Sequence, residues 1–226
     1  MNISVAIDGP AAAGKSTVAK KVANKLGYVY IDTGAMYRAF TWYCINKGLD
    51  CQKENQCISV IDDVHIELLE NGKVLCNSID VTEEIRKPYV SSNVSYIASY
   101  KDIRLALVKL QRGMAASKNV IMDGRDIGTY VLPNADVKIY QIASVETRAI
   151  RRYDENISKG IACSLEDIEE DVRKRDYIDS HRDFAPLKPA SDSILLDTSY
   201  LSIDEVVDAV IKIIEKKIGE KNNEQI

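Results

Sequence analysis

The stretch IDGPAAAGKST, residues Ile7 to Thr17, holds a glycine, four small residues, a second glycine, and then Lys15, Ser16 and Thr17. The residues before it, ISVA (3–6), are apolar and β-prone. Those after it, VAKKVANKLG (18–27), alternate apolar and basic at helical spacing. The chain therefore leaves a buried strand, turns sharply and opens a helix. Gly9, Gly14, Lys15 and Ser16 fill the fixed positions of the pattern G-x-x-x-x-G-K-[ST]. A loop without bulky side chains lets backbone N–H groups converge on an anion, and the helix behind it adds free N–H groups and a positive dipole end. Gly9, Pro10, Ala11, Ala12, Ala13, Gly14, Lys15, Ser16 and Thr17 thus form a candidate cradle for a nucleotide phosphate. Lys15 supplies a point charge near the outer phosphates, and the Ser16 hydroxyl a ligand for Mg2+. A turn that only joins strand to helix is the competing account, and the full pattern in a strand–loop–helix context disfavours it.

A chain of 226 residues corresponds to one domain, or one core with insertions. The net charge of −4 carries no global basic bias, so no nucleic-acid partner is expected and a nucleotide must find local basic clusters. The five cysteines include no C-x-x-C pair, and Cys51 and Cys57 stand too isolated for a metal site; reduced thiols of a cytoplasmic protein are the plain expectation. The N-terminus runs directly into strand residues without a basic n-region, and no apolar run approaches membrane-spanning length.

Five apolar runs read as buried strands: ISVAID (3–8), YVYID (28–32), NVIMDG (119–124), VKIYQIA (137–143) and SILLDT (193–198). They do not alternate strictly, as expected for parallel strands covered on both faces. Helical patterns separate them. Lys15–Leu26 puts Val18, Val22 and Leu26 on one face and stops at Gly27, and Ala35–Lys47 stops at Gly48. Asp102 is placed to cap a helix, Ser164 with Asp167 to open one reaching about Ser180, and Ser202 with Glu205 to open the last. The tail GEKNNEQI is polar enough to fray. Strand–helix alternation predicts an α/β fold with a five-stranded parallel sheet wrapped by helices. Within residues 64–86, Asn71-Gly72 lies between two alternating runs and predicts a small antiparallel insertion on the rim.

Charges follow the strands. IDTGAMYR (31–38) sets Asp32, Thr33 and Gly34 at a strand end and Arg38 one turn into the next helix; MDGRDIGT (122–129) ends a strand with Asp123, Gly124, Arg125 and Asp126. In an open parallel sheet, ligands bind at the carboxyl ends of strands. RKRDYIDSHR (173–182) puts Arg175, Asp179 and Arg182 on one helical face, and RAIRR groups Arg148, Arg151 and Arg152. A solvated surface helix explains either group alone. Several arginine groups beside one phosphate loop fit phosphoryl transfer better, because transfer between two anions needs cations. His65 and His181 belong to no nucleophile constellation, and Trp42 with its tyrosine neighbours reads as core.

At this point the chain resembles the bacterial cytidylate kinases, of the P-loop nucleoside monophosphate kinase family, over nearly its whole length. The resemblance is carried by DGPAAAGKST, DTGAMYR, VTEEIR, DGRDIGT, KRDYIDSHR with the following APLKPA, and LLDTSYLSIDEVV. It implies transfer of a phosphoryl group from ATP, with Mg2+, to CMP or dCMP in pyrimidine nucleotide metabolism. It also implies a single domain with its core at 1–32, 104–147 and 183–220, a monophosphate-binding arm at about 33–103 and a helical lid at about 148–182. By the same resemblance Thr33, Ser95, Arg104 and Asp126 surround the cytosine. Arg38, Arg125 and Arg182 face the acceptor phosphate, and Arg175 and Asp179 approach the ribose. Arg148 and Arg152 begin the lid over ATP. Lys15, Arg125, Arg152 and Arg182 act on the transferring group, and Asp123 meets the Mg2+ through water beside Ser16. A cytoplasmic monomer without membrane or nucleic-acid partners is expected.

Rival readings are a kinase of the same fold with another acceptor, such as shikimate or AMP, a guanine-nucleotide switch, and a module of an ATP-driven machine. The switch needs N-K-x-D, and NKGLD (46–50) has its aspartate one position late.

Overall fold

The computed structural model describes residues 2–69 and 71–223. In chain order the elements are β1 (Ser4–Asp8), α1 (Lys15–Leu26), β2 (Val29–Asp32), α2 (Thr33–Asn46), α3 (Glu54–Ile58), β3 (Ile66–Leu68), β4 (Val74–Cys76), β5 (Ile79–Asp80), α4 (Pro88–Ser91), α5 (Val94–Ser99) and α6 (Lys101–Ala115). They continue with β6 (Val120–Gly124), β7 (Val137–Ile142), α7 (Val145–Ser158), α8 (Leu165–His181), β8 (Ile194–Asp197) and α9 (Ile203–Asn223).

All five expected strands form one parallel sheet in the order β2-β6-β1-β7-β8. The central strand β1 shows why an unbroken apolar run reads as parallel. Val5 and Ile7 pack with Val18 and Val22 of α1 and Val207 and Val210 of α9, while Ala6 packs on the other face with Val108 of α6 and Met122. Burying each such valine or isoleucine side chain contributes about 1.5–3 kcal/mol. In-register pairing sets Asp8 beside Gly124 and Asp32 beside Asp123, so the strand-end charges meet on one rim.

The helix limits follow the caps with local differences. Gly27 takes φ +69° and ends α1 as expected. Ser202 and Glu205 form a reciprocal capping box, each side chain accepting from the other residue's N–H. Asp102 is not a cap: α6 begins at Lys101, which places the carboxylate inside the first turn, where it still favours the dipole. Arg182 does not share the helical face of Arg175 and Asp179, because α8 ends at His181 and Arg182 is extended, with ψ 143°. The tail stays helical through Asn223, and residues 224–226 lie outside the described residues.

The insertion is a three-stranded antiparallel sheet, β3-β4-β5. At Asn71-Gly72 the Gly72 N–H returns to the Leu69 carbonyl and Leu69 N–H donates to Lys73, a loop longer than two residues. The tight two-residue turn is instead Asn77-Ser78, both left-handed at φ +49° and +65°. Asn77 sustains that conformation by accepting from His65 N–H and donating to the Asp63 carbonyl. A separate hydrophobic cluster joins this sheet to α2 and α5, and buries the free thiols of Cys44, Cys51, Cys57 and Cys76. Among the described residues no helix is long and apolar enough to cross a membrane.

Candidate active site

The loop from Gly9 to Gly14 bends between β1 and α1. A side chain on Gly9 would stand 1.9 Å from the Gln141 carbonyl oxygen of β7, so the backbones touch there. Gly14 takes φ +84° as the cap of α1, and Ala12 is also left-handed at φ +57°. Gln141 braces the loop from below, donating to the Ala13 carbonyl at 2.5 Å. Lys15 is buried and folds back to donate to the Pro10 carbonyl at 2.7 Å. Burial and the nearby Arg125 hold its ammonium pKa well below the usual lysine range. Thr17 is exposed on α1.

Ser16 donates to the Asp123 carboxylate at 2.8 Å, and Tyr30 donates to its other oxygen at 2.8 Å. Burial and the adjoining Asp32 raise the Asp123 pKa, against the opposing pull of Lys15 and the two hydrogen bonds. A hydroxyl and a carboxylate beside the phosphate loop are hard oxygen donors that fit Mg2+ arriving with a triphosphate.

Next to this lies a buried carboxylate between two arginines. Arg104 of α6, 1 % exposed, pairs with Asp126 at 2.5 Å, donates to the Ala98 carbonyl at 2.8 Å, and stands 5.3 Å over the Tyr37 ring. Arg182 approaches the second Asp126 oxygen at 3.4 Å and is otherwise spent on the Ala185 carbonyl. Thr33, at the start of α2, donates to the Asp123 carbonyl at 2.6 Å, and Ser95 is buried on α5.

The cations gather in a second group. Arg38 and Arg86 both pair with Asp32, at 3.2 and 3.4 Å. Burial works against the Asp32 charge, but Arg38 and Arg86 outweigh it and hold the carboxyl below its ordinary range. Arg125 pairs with Asp179 at 2.8 Å. Arg175 has a buried Nε without a hydrogen-bond partner among the described residues, and burial together with Arg125, with Arg38 and Arg152 adding, pulls its pKa down to about 10. Arg38, Arg86, Arg152 and Arg175 line one cleft with Ser91 and Glu155. Cations crowded this way ask for an anion.

The RAIRR arginines, set in sequence on one basic face, diverge. Arg148 is buried against the phosphate loop, donating to the Ala11 carbonyl at 2.9 Å and pairing with Asp176 at 2.6 Å. Arg152 faces the cleft and pairs with Glu155 at 3.2 Å. Arg151 instead ties α7 to the loop after β8, donating to Thr198 at 2.6 Å.

Four residues without a role in the sequence reading join the site. They are Arg86, Tyr37, Asp176, whose carboxylate accepts from the Ala11 N–H at 3.0 Å, and Asp8. Asp8 accepts from the N–H groups of Ile127 and Gly128, and burial pushes its pKa up to about 6. The quoted motifs contained all four, but only the fold shows what each one faces.

A sequence model of cytidylate kinase matches residues 5–216. Proteins named cytidylate kinase from Anoxybacillus flavithermus and Leuconostoc mesenteroides are 52 % and 50 % identical, over 96 % of this chain in each case and 97 % and 99 % of theirs. Among solved structures, a gluconokinase from Sinorhizobium meliloti superposes with a TM-score of 0.51 at 12 % identity, over 99 % of this chain and 97 % of its own, a likeness of fold alone. With a phosphate loop, a buried arginine–aspartate pair and an arginine cleft on one rim, and with relatives about half identical over nearly their whole length, this chain belongs to the cytidylate kinase family.

Proposed function

We propose that this protein transfers the γ-phosphoryl group of ATP to CMP and dCMP, giving ADP and CDP or dCDP. The observation that carries the reading is the buried Asp126 between Arg104 and Arg182, on the same sheet rim as the phosphate loop. Cytosine presents an exocyclic amine beside ring acceptors, where uracil presents a carbonyl. A carboxylate accepts from the amine and opposes the carbonyl, while an arginine donates to the ring acceptors. A buried site matched in this way rejects the wrong base by leaving a polar group unpaired.

Phosphoryl transfer calls for alignment and charge stabilisation, so no catalytic base is assigned. In this reading Lys15 and the N–H groups of the loop hold the donor phosphates. Arg38 and Arg125 receive the acceptor phosphate, Arg152 meets the transferring group, and Arg175 and Asp179 orient the ribose. Arg182 bridges the base and phosphate ends. Ser16 and Asp123 hold the Mg2+ that comes with ATP, which when bound offsets charge on the phosphate oxygens. The arm and lid close over both nucleotides and exclude water, which would otherwise take the phosphoryl group.

A coupled assay with ATP, Mg2+ and a panel of acceptors tests the reading. CMP and dCMP are expected to be good acceptors, UMP poor and AMP worse. Asp126→Asn is expected to narrow the CMP over UMP ratio of kcat/KM by roughly tenfold, the size of one lost polar match of about 1–3 kcal/mol. An unchanged ratio with both rates falling would mean that Asp126 holds the site together without reading the base.

Arg152 carries a separate expectation. Arg152→Ala should lower kcat by about tenfold or more with little change in CMP affinity, because a cation used only for the transferring phosphate acts on the transition state. Normal turnover with much weaker CMP binding would move Arg152 to the acceptor side.

A further inference from the structure

We infer that Asp8 is a positioning residue for base selection: its carboxylate clamps the turn that carries Asp126 onto the strand that feeds the phosphate loop. Asp8 is the last residue of β1 and only 5 % exposed. Its Oδ1 accepts from the Ile127 N–H at 2.8 Å and its Oδ2 from the Gly128 N–H at 2.7 Å. These residues open a single π-helical turn, Ile127–Val131, whose first N–H groups have no acceptor within the turn. Such turns recur at functional sites. Asp126 immediately precedes it, and its own carbonyl accepts from Tyr130 and Val131 N–H, so its backbone is part of the turn that Asp8 grips.

The grip fits a carboxylate and little else. It presents two acceptors to two donors. An amide would present one acceptor and one donor, and its NH2 would oppose an N–H. Gly128 leaves the room: a side chain there would stand 3.1 Å from Lys138 Cδ and 3.4 Å from Asp8 Oδ2. Lys15, the nearest cation along the chain, donates to the Pro10 carbonyl and reaches Asp8 through its charge, while the two Asp8 oxygens accept from the turn. The Asp126 oxygens sit at 2.5 and 3.4 Å from two arginines, so a displaced turn re-aims the carboxylate within the site.

The inference rests on Asp126 reading the base, and one set of measurements separates the two. In the wild-type protein, kcat/KM for CMP over UMP establishes the reading, and its absence there overturns that reading. In Asp8→Asn the ratio is expected to fall by about tenfold, chiefly through a higher KM for CMP, while the Kd of a non-hydrolysable ATP analogue stays within about threefold. A residue that only supports the phosphate loop would weaken the analogue and leave the ratio alone, and that result overturns the inference. So does an unchanged ratio with unchanged analogue binding. Should Asp8→Asn fail to fold, Gly128→Ala crowds the same clamp from the side of the turn, its added methyl meeting Lys138 and the Asp8 carboxylate, and leaves the sequence of β1 and the phosphate loop unchanged. The same selective fall in the ratio is expected there, and a wild-type ratio overturns the inference.

Discussion

Lys15→Ala is expected to lower turnover by roughly 10²–10³-fold, by analogy with the loss of one donor to a developing negative charge, in a protein that remains folded. The size follows from position. Lys15 is buried at the mouth of α1, in a site where little water screens its charge. Among the described residues its ammonium makes one hydrogen bond, to the Pro10 carbonyl, so the loss of that bond alone leaves the fold standing. Burial and Arg125 press its pKa down while the site lacks phosphate, and an arriving triphosphate reverses the balance. The lysine pKa then rises, so a proton should be taken up when an ATP analogue binds just above neutral pH. Calorimetry in two buffers of different ionisation enthalpy reads that proton directly. The Lys15→Ala protein should show near-zero turnover and no such uptake. Near-normal turnover in the folded variant would sink the assignment of the phosphate loop.

Arg104→Leu is expected to cost about 3–5 kcal/mol of stability, because removing one partner strands a charge inside the protein. Asp126 is then left with Arg182 alone at 3.4 Å. The urea midpoint measures the loss, provided the slope of the transition is unchanged. Arg104→Leu with Asp126→Leu should recover part of it, since replacing both members of a buried pair by apolar groups is often neutral. A loss below about 1 kcal/mol, the size of an exposed pair, would show that water reaches Asp126 and that the pocket is not sealed.

The sheet was legible because its inner strands β1, β6 and β7 are covered on both faces and so print apolar runs, as VIM (120–122) does, while the edge strand β8 leaves Leu195 exposed yet still reads as apolar. The rim was legible because strand-end charges follow those runs at once, as Asp32 and Asp123 do. What stayed hidden depends on partners far along the chain. Asp8 meets Ile127 across 119 positions, and Asp176 meets Ala11 across 165. Nothing in the local spacing of either residue signals the other. Arg148, Arg151 and Arg152 do share one helix face, at i, i+3 and i+4, but their long side chains reach three different surroundings, the phosphate loop, the loop after β8 and the cleft, and spacing alone does not choose among these. The Asn77-Ser78 turn was missed because its left-handed backbone is stabilised by side-chain bonds to Asp63 and His65 rather than announced by glycine.

The two glycines of the phosphate loop bear on what such a motif records. Gly9 is forced by the carbonyl of Gln141, and Gly14 by its left-handed φ at the head of α1. Neither requirement involves a ligand. A chain that had lost all affinity for nucleotides but kept this sheet and helix would still be held to glycine at both places. The spacing of the glycines is therefore a signature of how β1, β7 and α1 meet, and the chemical content of the motif lies in Lys15 and Ser16. Sequences that keep the glycines but exchange those two residues are, on this account, inherited architecture with the chemistry removed.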